Sequence, residues 1–261
     1  SSMFCLYRSK IILAVFVIIV TNLFSSESSA QSKVQKLLNK LDKHYYYPQN
    51  KGLKRISSRL VWQQENFQSE NMFTIKKPEF SFKGELEDGV FVKKIKIFNN
   101  SKKLTNKENL EDIKFLNNYL DVFIPKTLRE KFLSFKGTIN SNKRKEIVLL
   151  LKSRETKDNY LDYKLFIDTE NWRILKIIFR QGREPEKVVG KFFYTQKDGK
   201  WVVEETVSVF KINDQKYIEK TKYKYKSLES FWLVYDVDQT VMKEGSKILT
   251  YNFTLKDYKL D

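Results

Sequence analysis

The stretch KYIEKTKYKYK, Lys216 to Lys226, constrains the fold more than any other part of the chain. In an extended chain Tyr217, Thr221, Tyr223 and Tyr225 share one face, and Lys220, Lys222, Lys224 and Lys226 share the opposite one. Four lysines on one pleated face are too costly to bury. A sheet containing this strand therefore has one wet face and one covered face. The last strand repeats the pattern, with Leu249, Tyr251, Phe253 and Leu255 on one side and Thr250, Asn252 and Thr254 on the other.

Period two runs through most of the sequence. Strands are predicted over Leu53–Phe67, Met72–Leu86, Val90–Phe98 and Ile147–Ser153. A punctuated series follows. Tyr163–Asp168 turns at Thr169-Glu170-Asn171 into Trp172–Phe179, and Val188–Thr195 turns at Asp198-Gly199 into Lys200–Ile212. Lys216–Lys226, Phe231–Thr240 and Lys247–Leu255 complete the meander. Helical spacing marks Ser32 to Tyr46, with Val34, Leu37, Leu38, Leu41 and Tyr45 on one stripe. A second helix is predicted from about Asn106 to Ile124, with Leu110, Ile113, Leu116, Leu120 and Phe123 on its inward stripe and Phe115, Tyr119 and Val122 widening it. A third, short one is predicted over Leu128–Phe135. The fold class is α+β: a large antiparallel sheet of about ten strands, covered on one face by two or three helices. No Pro/Gly-rich linker interrupts it, so residues 31–261 read as a single domain.

Residues 1–30 read as a secretory signal peptide. Arg8 and Lys10 precede the apolar run Ile11–Val20, and Ser28-Ser29-Ala30 supplies a small-residue cleavage site. The alternative is an uncleaved anchor at the membrane, or an extracellular destination in place of a periplasm. Cys5 is the sole cysteine and lies ahead of the apolar run. From Gln31 on there is no thiol, so disulfides, thiolate catalysis and cysteine metal sites are excluded. The same stretch carries 47 basic and 31 acidic residues. That excess favours an anionic partner, and the lysines at 220, 222, 224 and 226 are the candidate contacts with an anionic membrane surface.

Catalytic chemistry has little to stand on. His44, the only histidine, sits where the first helix ends and has no nucleophile motif to pair with. A structural role is the reading for it. Neither a Gly-x-Ser-x-Gly elbow nor a phosphate-cradling glycine loop is present. Glu204 and Glu205 are adjacent on a strand and face opposite ways. Asp236 and Asp238, at i and i+2, share a face about 6–7 Å apart, a spacing within reach of a hydrolase acid/base pair. Lysines and tyrosines on opposite faces make a poor stacking platform for nucleic acid. No cofactor and no metal is expected, and the chain is expected to be monomeric.

Two segments carry a resemblance. The stretch YKLFIDTENWRILKIIFRQG looks like the paired strands of LolA-like periplasmic proteins, in which an acid-containing turn follows an apolar strand. The ending LTYNFTLKDYKLD resembles the closing strand of that group. The resemblance implies a curved, half-open barrel capped by helices over an apolar cavity. It also implies an exported protein that binds lipid or lipoprotein acyl chains and does not catalyse. The cavity-gating arginine of the lipoprotein carriers has no matching position here. The lipid-anchoring cysteine of the outer-membrane acceptors is missing as well.

An acyl chain is held by shape and dryness. At ~0.8 kcal/mol per buried CH₂, a long chain supplies on the order of 10 kcal/mol before ordering costs. The candidate lining is Leu37, Leu41, Leu116, Leu120, Phe123, Tyr223, Tyr251 and Phe253. A filled core uses the same residues. The expected function is a carrier or sensor for acyl chains. Two alternatives stand beside it: a basic envelope protein of structural or adhesive type that binds anionic polymer, and a hydrolase using Asp236 and Asp238.

Overall fold

The computed structural model describes residues 29–67, 73–77, 79–98, 107–154 and 160–261. The predicted signal peptide falls almost wholly outside this range. Among the described residues there are thirteen strands, in the hydrogen-bonded order β4-β3-β1-β13-β12-β11-β10-β9-β8-β7-β6-β5, with β2 paired to β1 off that path. In chain order they are β1 (Arg55–Asn66), β2 (Phe73–Lys76), β3 (Phe80–Glu87), β4 (Val90–Ile97), β5 (Lys136–Lys143), β6 (Glu146–Arg154) and β7 (Tyr160–Asp168). Then come β8 (Arg173–Gln181), β9 (Lys187–Lys197), β10 (Lys200–Ile212), β11 (Gln215–Leu228), β12 (Phe231–Lys243) and β13 (Ser246–Leu260). The helices are α1 (Ser29–Asp42), α2 (Lys107–Leu116), α3 (Leu120–Phe123) and α4 (Leu128–Lys131). The class is α+β with a large antiparallel sheet, as the alternation predicts.

The chain divides into two compact units. The first takes Tyr47–Lys126 and Glu219–Asp261, and the second takes the described residues up to Tyr46 and Thr127–Ile218.

In the second unit α1 lies against β5. Val34, Leu38 and Leu41 are buried, with Leu37 beside them. Gly137 permits the approach: a Cβ there would sit 2.6 and 2.9 Å from the Val34 methyls and 3.1 Å from Leu151. Gln31 clamps the start of the helix, donating to the Phe135 carbonyl at 2.9 Å and accepting from the Gly137 amide at 3.1 Å. Asp42, at the other end, accepts from the Leu128 and Arg129 amides at 2.8 and 3.1 Å. That supports the first turn of α4, which Thr127 and Glu130 close with a capping box. Beneath lie Phe132, Phe135, Tyr163 and Phe179, with successive ring centroids 4.7 to 5.7 Å apart. The helix ends earlier than predicted, at Asp42, because Tyr45 bridges to Trp201 as extended chain.

In the first unit the strand predicted over Met72–Leu86 is two strands, β2 and β3, and both pair with β1. The second predicted helix is broken. After α2 comes a 3₁₀ turn, Asn117–Tyr119, and then the single turn α3. At three residues per turn the 3₁₀ segment rotates the inward face. Phe115, Leu116, Tyr119 and Phe123 are buried, while Leu110, predicted inward, is 52% exposed.

Candidate functional site

The site is the interior of the first unit, between α2–α3 and the covered face of its strands. Alternation on β1 sends Leu60, Trp62 and Gln64 inward. Tyr251, Phe253 and Leu255 of β13 do the same. The register sets Trp62 opposite Phe253 and Gln64 opposite Tyr251. Phe115 of α2 stacks on Trp62 with centroids 4.6 Å apart and interplanar angle 13°. Tyr119 meets Phe253 at 4.5 Å, and Phe123 meets Phe82 edge-on at 5.3 Å. These rings fill the interval between helix and sheet.

A polar row crosses this apolar face. Tyr251 lies opposite both Gln64 and Gln239. Tyr119 donates its hydroxyl to Gln239 Oε1 at 2.6 Å, and Gln239 Nε2 donates to Thr221 Oγ1 at 3.0 Å. Burial holds the Tyr119 phenol well above its ordinary pKa. Two residues before Thr221 on the same face, Glu219 is buried, and desolvation pushes its carboxyl up to about 8. At neutral pH that carboxyl is therefore mostly a neutral hydrogen-bond donor. Glu219 Oε2, Gln64 Oε1 and Trp62 Nε1 are buried without a hydrogen-bond partner among the described residues. Buried polar groups are usually paired, so three such atoms in one layer stand out.

The helical cover is tethered by two lysines from outside it. Lys77, between β2 and β3, pairs with Asp112 of α2 at 3.0 Å and lies 5.2 Å above the Trp62 ring. Lys93 of β4 bonds Asp121 and the Ile124 carbonyl at the far end of α3. Gln49 donates to the Pro125 carbonyl at 2.7 Å.

The structure brings some of the predicted lining together and separates the rest. Leu116, Phe123, Tyr251 and Phe253 are buried in this unit, and Leu120 and Tyr223 are half-buried. Leu37 and Leu41 belong to the second unit, in the core under α1. Of the predicted anionic-surface lysines, Lys220, Lys222 and Lys224 are exposed. Lys226 packs its ammonium 4.6 Å over Tyr258. Lys224 is engaged by Asp236 at 3.0 Å and Asp238 at 3.3 Å.

That pairing engages both carboxylates of the predicted acid/base pair. Asn252 donates to both Asp236 and Asp238, at 2.9 and 2.7 Å, and Thr254 donates to Asp236 at 3.0 Å. Although burial works against it, hydrogen bonds from Lys224, Asn252 and Thr254 hold the Asp236 carboxyl below its usual value. A carboxylate so held is a poor general acid. His44, read from the sequence as structural or incidental, lies where α1 ends. Its Nδ1 donates to the Lys40 carbonyl at 2.9 Å, and its ring stacks on Trp172. Trp172 is in turn capped by the Lys40 ammonium, 3.6 Å from the ring centroid.

Sequence reasoning missed Glu219 and the Lys77–Asp112 pair. Glu219 was legible as an acid interrupting the inward set Tyr217, Thr221, Tyr223. Among the described residues no group of three or more His, Cys, Asp or Glu side chains is arranged to hold a metal ion. Nor is any helix among them long and apolar enough to cross a membrane.

No protein-family model matches the sequence, and no curated protein matches it. Solved structures do. A LolA superfamily protein from Nitrosomonas europaea is 10% identical with a TM-score of 0.33, over 90% of this chain and 94% of that one. A DUF1329 family protein from Desulfovibrio piger is 9% identical with a TM-score of 0.35, over 90% and 94%. An outer membrane lipoprotein-sorting protein domain from Vibrio parahaemolyticus is 10% identical with a TM-score of 0.29, over 87% and 92%. The chain is thus similar to LolA-superfamily structures along most of its length. At scores this low the likeness carries no argument about what it binds.

Proposed function

We propose that the protein is an exported, non-enzymatic carrier or sensor that holds a lipid or lipoprotein acyl chain between α2–α3 and the sheet of the first unit. The observation that carries this reading is the layer itself. Trp62, Phe115, Tyr119, Phe123 and Phe253 form an apolar bed, and Trp62 Nε1 and Glu219 Oε2 are buried polar atoms without a hydrogen-bond partner among the described residues. An acyl chain supplies the apolar fill, and its ester or carboxyl oxygens supply acceptors. The cover is short and broken, held at Asp112 and Asp121 by Lys77 and Lys93, so its displacement must part those pairs. Because the rings fill the layer, a chain enters only if α2 shifts and the Trp62–Phe115 stack parts.

Native mass spectrometry of the purified protein, with and without added palmitate, tests the proposal. It expects a 1:1 adduct together with a change in tryptophan emission. A clean apo mass at palmitate concentrations that saturate ordinary fatty-acid carriers contradicts it.

The filled layer also favours a second reading, a basic envelope protein that binds anionic polymer through its surface. That reading expects salt-sensitive polymer binding and no palmitate adduct.

A further inference from the structure

We propose that the wet face of the first unit carries a binding site for a linear, phosphate-bearing polymer, centred on Lys83, Lys94, Lys96 and Lys259. Lys94 of β4 lies directly opposite Lys83 of β3, Lys83 opposite Ser57 of β1, and Ser57 opposite Lys259 of β13. The four positions form one straight row across four strands, about 14 Å long at an interstrand spacing of ~4.8 Å. A half-open groove of about 510 Å³ runs over this row and also takes in Ser81 and Lys96, which oppose each other in the next one.

The charge pattern is selective. In the row on one side, Arg55 is paired with Asp261 and Glu85. In the row on the other, Arg59 is paired with Glu79 at 2.9 Å and Asp257 at 3.2 Å. Both arginines are thus neutralised by the chain's own carboxylates, whereas no ion pair or hydrogen bond engages the ammonium groups of the four lysines among the described residues. Like charges directly opposed on neighbouring strands destabilise a sheet, and Lys83 and Lys94 are so opposed. An anion lying between them removes that repulsion.

The geometry points to a chain of phosphates. Ser57 sits between Lys83 and Lys259, and Ser81 sits beside Lys83 and Lys96, so each hydroxyl is a donor on the floor between two ammonium groups. The two serines are diagonal neighbours on β1 and β3, ~7–8 Å apart. Phosphates of a polyphosphate chain share bridging oxygens and lie closer together than this, so a single extended chain reaches both hydroxyls with further phosphates between them. The strip is narrow, with Glu85 and Asp261 on one side of its main row and, beyond Ser81 and Lys96, the Arg59 partners Glu79 and Asp257 on the other. A flat anionic bilayer would press against Glu85, Glu87, Asp257 and Asp261, whereas a thin polymer lying along the row avoids them.

The site is on the opposite face from the acyl-chain layer and does not depend on it. The test is titration of the full chain with fluorescently labelled inorganic polyphosphate across a range of sodium chloride concentrations. The double variant Lys83→Ala/Lys94→Ala is compared with Lys187→Ala/Lys191→Ala, which removes equal charge from exposed positions on β9. The groove variant is expected to bind at least tenfold more weakly, with a salt slope lower by about 1.5. The control variant stays within twofold of the parent, and millimolar orthophosphate does not compete. Vesicles of equal phosphatidylglycerol and phosphatidylcholine respond equally to the two variants. All substituted lysines are exposed, and unchanged melting temperatures verify folding. Equal weakening in both variants, no weakening in either, or vesicle binding lost selectively in the groove variant overturns the proposal.

Discussion

Lys77 donates to Asp112 at 3.0 Å with the two side chains only 3% and 2% exposed, and this pair pins the first turns of α2 to the segment between β2 and β3. Removing one partner of a buried pair leaves an uncompensated charge, at a cost of about 3–5 kcal/mol. Lys77→Met and Asp112→Leu should each lower the denaturation midpoint accordingly. The double variant should recover much of the loss, since two apolar side chains in place of a buried pair are often neutral. Urea unfolding of the three variants checks this, and additive losses contradict it.

Glu219 gives stability a downward slope with pH. Its folded pKa, about 8, is above the ordinary glutamate value of 4.5. Between those values the folded state holds more protons than the unfolded state, so stability is full below pH 4.5 and declines as pH rises toward 8. The decline is at most about 1.4 kcal/mol per pH unit. Glu219→Gln should flatten the melting temperature between pH 5 and 8 and should be the more stable protein at pH 8. Parallel profiles for parent and variant would show that Glu219 titrates normally.

Asp236 acts at the other end of the scale. Its lowered pKa means that the stabilisation is present above the ordinary carboxylate value and is lost as pH falls through the depressed one. Asp236→Asn should therefore reduce stability at pH 6 and leave it nearly unchanged near pH 2. Thermal melts at the two values measure the difference. An equal loss at both would assign the effect to packing.

Gly137 sets the approach of α1. Gly137→Ala places a methyl 2.6 Å from Val34 Cγ1, and overpacking of this kind costs about 1–3 kcal/mol. Val34→Ala opens the space. Gly137→Ala/Val34→Ala should thus be more stable than the sum of the single effects predicts. A double-mutant cycle with no coupling would contradict the contact.

The alternation of Lys216–Lys226 and Leu249–Leu255 made the wet and covered faces legible, because side-chain period alone determines them. The helix boundaries were less so. Tyr45 follows a clean apolar stripe, yet it leaves the helix to pair with Trp201, a partner 156 positions away that no local pattern reveals. Of the wide stripe read on the second helix, Phe115, Leu116, Tyr119 and Phe123 are buried and Leu110 is exposed. β5 escaped notice because Gly137 and its polar neighbours lack alternation; the segment is a strand because β6 pairs with it. In the candidate site, spacing marked Leu116, Phe123, Tyr251 and Phe253 as inward, whereas Trp62 was not singled out and Leu37 and Leu41 belong to the other unit. The Lys77–Asp112 pair and the lysine row both depend on strand register, which the sequence states only indirectly.

The most direct test of the acyl-chain reading is photolabelling of the full chain with a diazirine-bearing palmitate, followed by mapping of the labelled residues. The account predicts saturable labelling, displaced by unlabelled palmitate, at Phe115, Tyr119 and Phe253. Label that does not saturate, or that falls elsewhere, would contradict it.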